Sequence, residues 1–258
     1  GDVDLLAARL TSEPKSRGSQ WCRAAVRTAL KLRSALAALP VLAEALRGTD
    51  TAAHRSALLA EAHTVLSHTS FAELLGSLDG VLDGDGPQAL GQAGSLAHVA
   101  LMYAVRPNVS PLLDIARQTW NDALEQIHML HRGYAEKHPE LRIKLEYAER
   151  RGWYLSHAVQ DRPKDFLHTA SKGSSGRQMS TTRELGSENF KLRQAEREIL
   201  AQTVAVLSNL YDVLRAEAAL LYRVSHIASA LDLVQAFAGY TLLLGVRTRP
   251  QLTDDAAA

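Results

Sequence analysis

Cysteine is almost missing from this chain. Cys22 stands alone among 258 residues, so no internal disulfide can form, and a single thiol fits a reducing compartment. On an apolar helix face a lone cysteine reads as a small core residue. Long apolar runs are missing too: none approaches the ~20 residues that a membrane span needs, and no secretory leader pattern opens the chain. Net charge is nearly absent, 29 basic against 28 acidic residues for a total of +1. Any preference for nucleic acid therefore has to come from uneven placement of charge. The motif GxxxxGK[ST] is absent, which excludes phosphate-loop nucleotide hydrolysis by this chain. The chain opens on Gly1 and ends on Asp254-Asp255-Ala-Ala-Ala. It reads as a piece of a longer protein, with residues 256–258 either native or an added tail.

Residue clusters that could carry chemistry are equally sparse. Asp83-Gly-Asp-Gly-Pro87 tempts a calcium reading, but the twelfth position counted from Asp83 is Gly94 rather than glutamate, so the stretch reads as a turn. His128 and His131 stand three apart without a third ligand at defensible spacing, and His63 and His68 share no helical face. Gly173-Ser-Ser-Gly176 matches the loop by which some RNA-binding modules clamp a backbone, yet it falls between strands where that loop precedes a helix. No nucleophile stands beside a base. The expectation is a nonenzymatic chain with no catalytic, cofactor or metal site of its own.

What is present is helix. With 46% hydrophobic residues the chain can bury a sizeable core, as one elongated unit or two small domains. The main stretch, from Ser187 to about Tyr222, holds neither Gly nor Pro and reads as one long helix. Read in sevens it shows Leu192, Ile199, Val206, Val213 and Leu220 beside Leu200, Leu207, Leu214 and Leu221, an apolar stripe that requires a partner. At ~1.5 Å per residue such a helix is roughly 50 Å long. Upstream, apolar spacing predicts helices over 19–39, 40–46, 52–66 and 71–82, with Pro40 closing the first and starting the second. Residues 97–105 are short and apolar, and strand and helix stay equally open there. Ser110-Pro111 with Asp114 starts a helix that Pro139 stops, and its stripe is the natural partner of the Ser187 helix.

Between these two helices the period changes to two. Arg142-Ile-Lys-Leu-Glu-Tyr147 alternates as a half-buried strand does, Arg150-Arg-Gly152 turns the chain, and Trp153, Leu155 and Val159 continue as its antiparallel partner. A second hairpin is expected over 166–170 and 178–185. A last helix, 225–244, carries Ile227, Leu231, Val234 and Phe237. Charge concentrates where the strands are: from Leu141 to Ala195 eleven basic residues meet six acidic ones, an excess of five that leaves the remainder at about −4. Such a basic tip suits a phosphate backbone; a merely solvated charged sheet is the plainer alternative.

The order of parts resembles the lever and clamp region of the MutS family. Leu30-Lys-Leu-Arg-Ser-Ala-Leu-Ala-Ala-Leu-Pro40 is similar to the family's helix ending in Leu-Pro, and Gly152-Trp-Tyr-Leu to its Gly-aromatic-aromatic-Ile strand. Thr181, Leu185 and Asn189 match the entry into the descending helix, and Ser229-Ala-Leu-Asp-Leu-Val-Gln-Ala-Phe-Ala238 the return toward the ATPase domain. Tyr103-Ala-Val-Arg-Pro-Asn108 with 112–120, and Val246-Arg-Thr-Arg-Pro-Gln-Leu-Thr-Asp254, look most like the meiotic branch. Trp153 stands where the family usually carries Phe or Tyr. The resemblance implies a mainly α fold: an elongated helical lever (1–140 and 187–258) with a small antiparallel clamp sheet (141–186) inserted between two long helices. It implies a nuclear, chromosomal protein that pairs with MutS homologue five and closes on duplex or branched recombination DNA. ATP and magnesium would be bound in a domain outside this chain. The residues expected to meet DNA phosphates are Lys172, Arg177, Arg183, Lys191 and Arg193. The alternatives are a mismatch-repair paralogue and a helical protein-binding scaffold without DNA.

Overall fold

The computed structural model describes residues 3–47, 56–83, 101–158, 163–172 and 177–245, apart from the side chains of 168–172 and 244. The fold is mainly α with one small antiparallel sheet. In chain order come α1 (Val3–Thr11), α2 (Ser19–Arg47), α3 (Ala57–Leu66), α4 (Ser70–Val81) and α5 (Pro111–Lys137). After a 3-10 turn at Pro139–Leu141 follow β1 (Lys144–Ala148), β2 (Gly152–Ala158), β3 (Leu167–Lys172) and β4 (Arg177–Thr181), then α6 (Arg183–Ala216) and α7 (Ala218–Leu244). The expected turn at 83–87 lies, beyond Asp83, outside the described residues, as do Val159, the loop at 173–176 and the segment 246–254.

The chain divides into two units, Gly1–Pro14 with Thr28–Asp79 and Leu210–Ala258, and Lys15–Arg27 with Gly80–Asn209. In the first, α1 and α3 pack on α7. Leu6, Ala7 and Leu10 of α1 are buried, as are Leu220, Leu221, Val224 and Ile227 in the first half of α7. Arg215 Nε donates to the Leu10 carbonyl at 3.1 Å. Tyr211 lies in the same unit, and burial pushes its phenol up to about 12. Along the second half of α7, Val234 and Phe237 are exposed together with Tyr240, Leu242 and Leu243.

Pro40 does not end a helix. α2 runs through it without interruption, because Leu32, Leu36, Leu39 and Ala43 keep one buried stripe on both sides of it. Pro40 itself faces solvent, where the missing N–H costs least. An interior proline is nevertheless worth about 3 kcal/mol against the helix. Pro40→Ala should therefore raise stability by up to about 3 kcal/mol in urea unfolding; an unchanged or lower midpoint would show that the chain has adapted to the ring.

In the second unit α5 begins as its residues demand. Ser110 caps it by accepting from the Leu113 N–H, Pro111 occupies the first turn, and His138 closes it before Pro139. α6 starts earlier than the glycine at 186 implied. Thr182 accepts from the Leu185 N–H at 3.1 Å and the Gly186 N–H bonds the Thr182 carbonyl at 2.9 Å, so the strand ends at Thr181 and a threonine cap wins over the helix-breaking tendency of Gly186. At its far end α6 stops at Ala216, and α7 begins at Ala218 rather than at Ser225; no residue between 214 and 220 breaks a helix by composition.

The buried face of α6 is Leu192, Ala195, Ile199, Thr203, Leu207, Leu210 and Leu214, spaced by three and four, while Val213 points to solvent. A straight 3.6-residue helix drifts away from a strict seven-residue column, which is why that column failed at Val213. α5 and α6 pack antiparallel. Leu113 and Ala116 share one cluster with Ile199 and Met102, and Ala123 and Ile127 share another with Leu192, Leu185, Leu155 and Phe166. Trp120 Nε1 donates to Glu196 at 3.3 Å, and Tyr134 Oη to Glu184 at 2.8 Å. Cys22 is fully buried, and that burial pushes its thiol up to about 11. Of residues 97–105, the described part holds a helical end at Leu101–Met102 and an antiparallel bridge from Val105 to Leu82.

Candidate nucleic-acid interface

The strands order β1-β2-β4-β3, all neighbours antiparallel. β2 is central and largely buried along its length, and Phe166 is 1% exposed at the heart of the cluster. The rings of Tyr134, His138 and His157 meet Phe166 edge-on. His157 carries two hydrogen bonds, one between Nδ1 and the Ala158 carbonyl and one between Nε2 and Ser180 Oγ, each at 2.9 Å. The carbonyl can only accept, so Nδ1 carries the proton and Nε2 receives the serine hydroxyl. His131 Nε2 lies 3.3 Å from the Ile143 carbonyl and His128 packs edge-on against Trp153, so these two rings serve different neighbours. Among the described residues no group of three His, Cys, Asp or Glu could hold a metal ion.

The Asn189 side chain fastens the sheet to α6. Asn189 Oδ1 accepts from the Trp153 N–H and its Nδ2 donates to the Trp153 carbonyl, both at 2.8 Å, so a side-chain amide plays the part of a further strand at the end of β2 where β4 does not reach. The clamp dictates its neighbour. Gly152 holds φ +81, and a Cβ there would sit 2.5 Å from Asn189 Oδ1. The glycine is thus required by conformation and by space. Asn189 entered the sequence reading only as part of a family pattern; its partner lies 36 residues away, and nothing local announces it.

The five basic candidates do not converge. Arg177 opens β4 and turns inward: Nε donates to Ser156 Oγ at 2.9 Å, Nη2 to the carbonyls of Arg142 and Ser156. Lys172 is its register partner at the end of β3, and its side chain lies outside the description. Arg183 is exposed in the first turn of α6. Lys191 pairs with Glu188 at 2.8 Å, and Arg193, two residues on and so on another face of the helix, donates to the Arg150 carbonyl at 3.4 Å. What the sheet does present are Arg142, Lys144, Arg150 and Arg151, all exposed. These four were counted in the charge excess without being singled out.

Two long antiparallel helices with a small basic sheet inserted between them make this a mainly α protein. The chain is similar in sequence to MutS homologue 4 proteins. It is 27% identical over 231 residues to the DNA mismatch repair protein MSH4 of Arabidopsis thaliana, which covers 86% of this chain and 28% of that protein. It is 27% identical over 162 residues to MutS protein homolog 4 of Mus musculus, covering 60% of this chain and 16% of that protein. The Homo sapiens MutS protein homolog 4 is 26% identical over 162 residues, covering 60% and 17%. No protein-family model matches. The chain thus spans less than a third of each of these relatives.

Proposed function

We propose that this chain is the lever and clamp region of a MutS homologue acting in meiotic recombination, closing around duplex or branched DNA by phosphate contacts. The observation that carries it is the excess of five positive charges between Leu141 and Ala195, placed on and beside a sheet that interrupts two long helices, in a chain similar to MutS homologue 4. Phosphate contacts position a protein on DNA without reading bases, which agrees with arginines and lysines spread over a surface. Of the five original candidates, Arg183, Lys191 and Arg193 keep donors toward solvent. Arg142, Lys144, Arg150 and Arg151 join them, while Arg177 holds the sheet together instead.

Pairing with MutS homologue five, nuclear and chromosomal location, and the relay of an ATPase state are part of the same proposal. The residues present do not fit the ATPase chemistry: the sequence holds no phosphate loop and the described residues no metal cluster. In this reading nucleotide hydrolysis belongs to a domain outside these 258 residues, and this region contributes no catalytic step of its own. No described helix is long and apolar enough to cross a membrane.

On a duplex with 5′-hydroxyl ends, seven phosphate contacts should make log affinity fall against log salt with a slope of roughly −6. Replacing Arg183, Lys191 and Arg193 by Ser should lower the slope by about one each. A salt-independent affinity, or one that the triple variant leaves unchanged, overturns the reading. The scaffold alternative draws on the exposed apolar residues of α7, Phe237, Tyr240, Leu242 and Leu243; it expects self-association and no gel shift at low salt.

A further inference from the structure

In the second unit, the start of α2, residues 101–102, the β1–β2 turn and the middle of α6 enclose an open groove of about 720 Å³. Its lining carries four guanidiniums, Arg23, Arg150, Arg193 and Arg197, against the carboxylates of Glu149 and Glu196, an excess of two positive charges. Glu196 is already engaged by Trp120 Nε1. The arginines are mostly unused. Arg23 Nε is buried without a hydrogen-bond partner, and among the described residues no side-chain hydrogen bond or ion pair engages Arg150 or Arg197.

A second observation points the same way. Thr203 is 1% exposed, lines the groove, and has a buried Oγ1 with no hydrogen-bond partner among the described residues. A helical threonine commonly returns its hydroxyl to the carbonyl one turn back, and a buried hydroxyl left unmade is costly, so this one is held ready for something that enters the groove. Ser19, on the same wall, begins the 29-residue α2, whose free N–H groups and dipole favour an anion. Tyr147 and Phe190, 49% and 63% exposed, add two aromatic rings to the lining.

We infer that this groove binds a phosphomonoester carrying an aromatic base. The guanidiniums and the helix start hold the dianion, whose charge matches the excess of two; Thr203 gives it a hydroxyl donor, and Tyr147 and Phe190 receive the flat group. The chemistry is common to a free nucleoside monophosphate and to the 5′-phosphorylated end of a DNA strand. The site shares Arg150 and Arg193 with the duplex contacts proposed above and is distinguished from them by Arg23, Arg197 and Thr203.

Calorimetric titration of the 258-residue chain at about 50 mM salt with dAMP, and with a short strand bearing either a 5′-phosphate or a 5′-hydroxyl, tests the site. Saturable binding is expected for dAMP and for the phosphorylated strand. Arg197→Glu should weaken it roughly tenfold or more, by loss of a charge-assisted bond. Thr203→Val, which keeps the shape and deletes the hydroxyl, should weaken it by about two- to tenfold while leaving the melting temperature unchanged or higher. Tighter binding of the phosphorylated strand assigns the site to a DNA end, and equal binding assigns it to the nucleotide. Three results overturn the inference: no binding of either phosphate, binding that both variants leave unmoved, or a 5′-hydroxyl strand bound as well as the phosphorylated one. The duplex experiment uses 5′-hydroxyl ends, so each reading can fail alone.

Discussion

Arg117→Met should be the most damaging single change described for this chain, costing about 3–5 kcal/mol. Arg117 is 6% exposed, and its guanidinium fastens the segment after Leu101 onto α5. Nε and Nη2 donate to the Met102 carbonyl at 2.9 and 2.6 Å, Nη2 also to the Val105 carbonyl at 2.8 Å, and Nη1 to Asp114 at 3.2 Å. Burial pulls its pKa below the usual arginine value, with Asp114 and then Tyr103 acting the other way; the ring of Tyr103 also stacks 5.3 Å from the guanidinium. Methionine matches the length and apolar volume of the stem but leaves the Met102 and Val105 carbonyls without their arginine donor and Asp114 with the Asn108 N–H alone. Thermal unfolding of the variant should show a midpoint lower by about 10 °C or more, taking roughly 2–4 °C per kcal/mol for a chain of this size. Arg117→Lys, one charge without the fork, should fall between the two. A loss under about 1 kcal/mol would mean that the 101–105 segment is held by Met102 and Val105 packing alone.

Asn189 should come second. Asn189→Ala leaves the N–H and the carbonyl of Trp153 unpaired at one stroke, about 1–3 kcal/mol for each group that stays out of water. Asn189→Asp is the sharper variant, for it changes no volume. One carboxylate oxygen still accepts from the Trp153 N–H, but the other now faces the Trp153 carbonyl with no proton to offer, so the acid should be nearly as harmful as alanine. Hydrogen exchange at the Trp153 amide reads this directly. It should quicken in both variants, and an Asp variant that exchanges like the unsubstituted chain would show that the amide plane is not what holds β2.

The contrast between these two residues shows how far a sequence can be read here. The bounds of α5 followed from Ser110, Pro111 and Pro139, because caps and prolines act within a turn of where they stand. The strand alternation from Ile143 to Tyr147 was equally local, and so was the hairpin at Gly152. Misreadings came where a local preference met a longer-range one. Pro40 was outvoted by the buried stripe on either side of it, Gly186 by the Thr182 cap, and Val213 by the drift of a straight helix. The exposure of Phe237 could not be read at all, because an apolar residue carries no sign of whether a neighbour is present. The candidate interface was the least legible part. Charge counting located the basic region in sequence, yet it could not tell that Arg177 would turn inward to Ser156 and Arg142 while Arg150 and Arg151 stayed outside. That distinction depends on strand register, which pairs Ala158 with Arg177 and has no trace in either residue alone. The groove was missed for the same reason, its arginines coming from positions as far apart as 23 and 197.

The two ends of the sheet are joined to their helices by different means. From β4 the chain enters α6 through Thr182 alone, whose side chain caps the helix it begins, so only the two torsions of one residue separate strand from helix. On the other side, six residues lead from α5 to β1, with a single 3-10 turn and Arg142 in the left-handed region at φ 46. In mechanical terms one attachment is a weld and the other a compliant link. A displacement of the sheet should therefore carry the first turn of α6 with it more directly than it carries the end of α5, which six residues separate from β1.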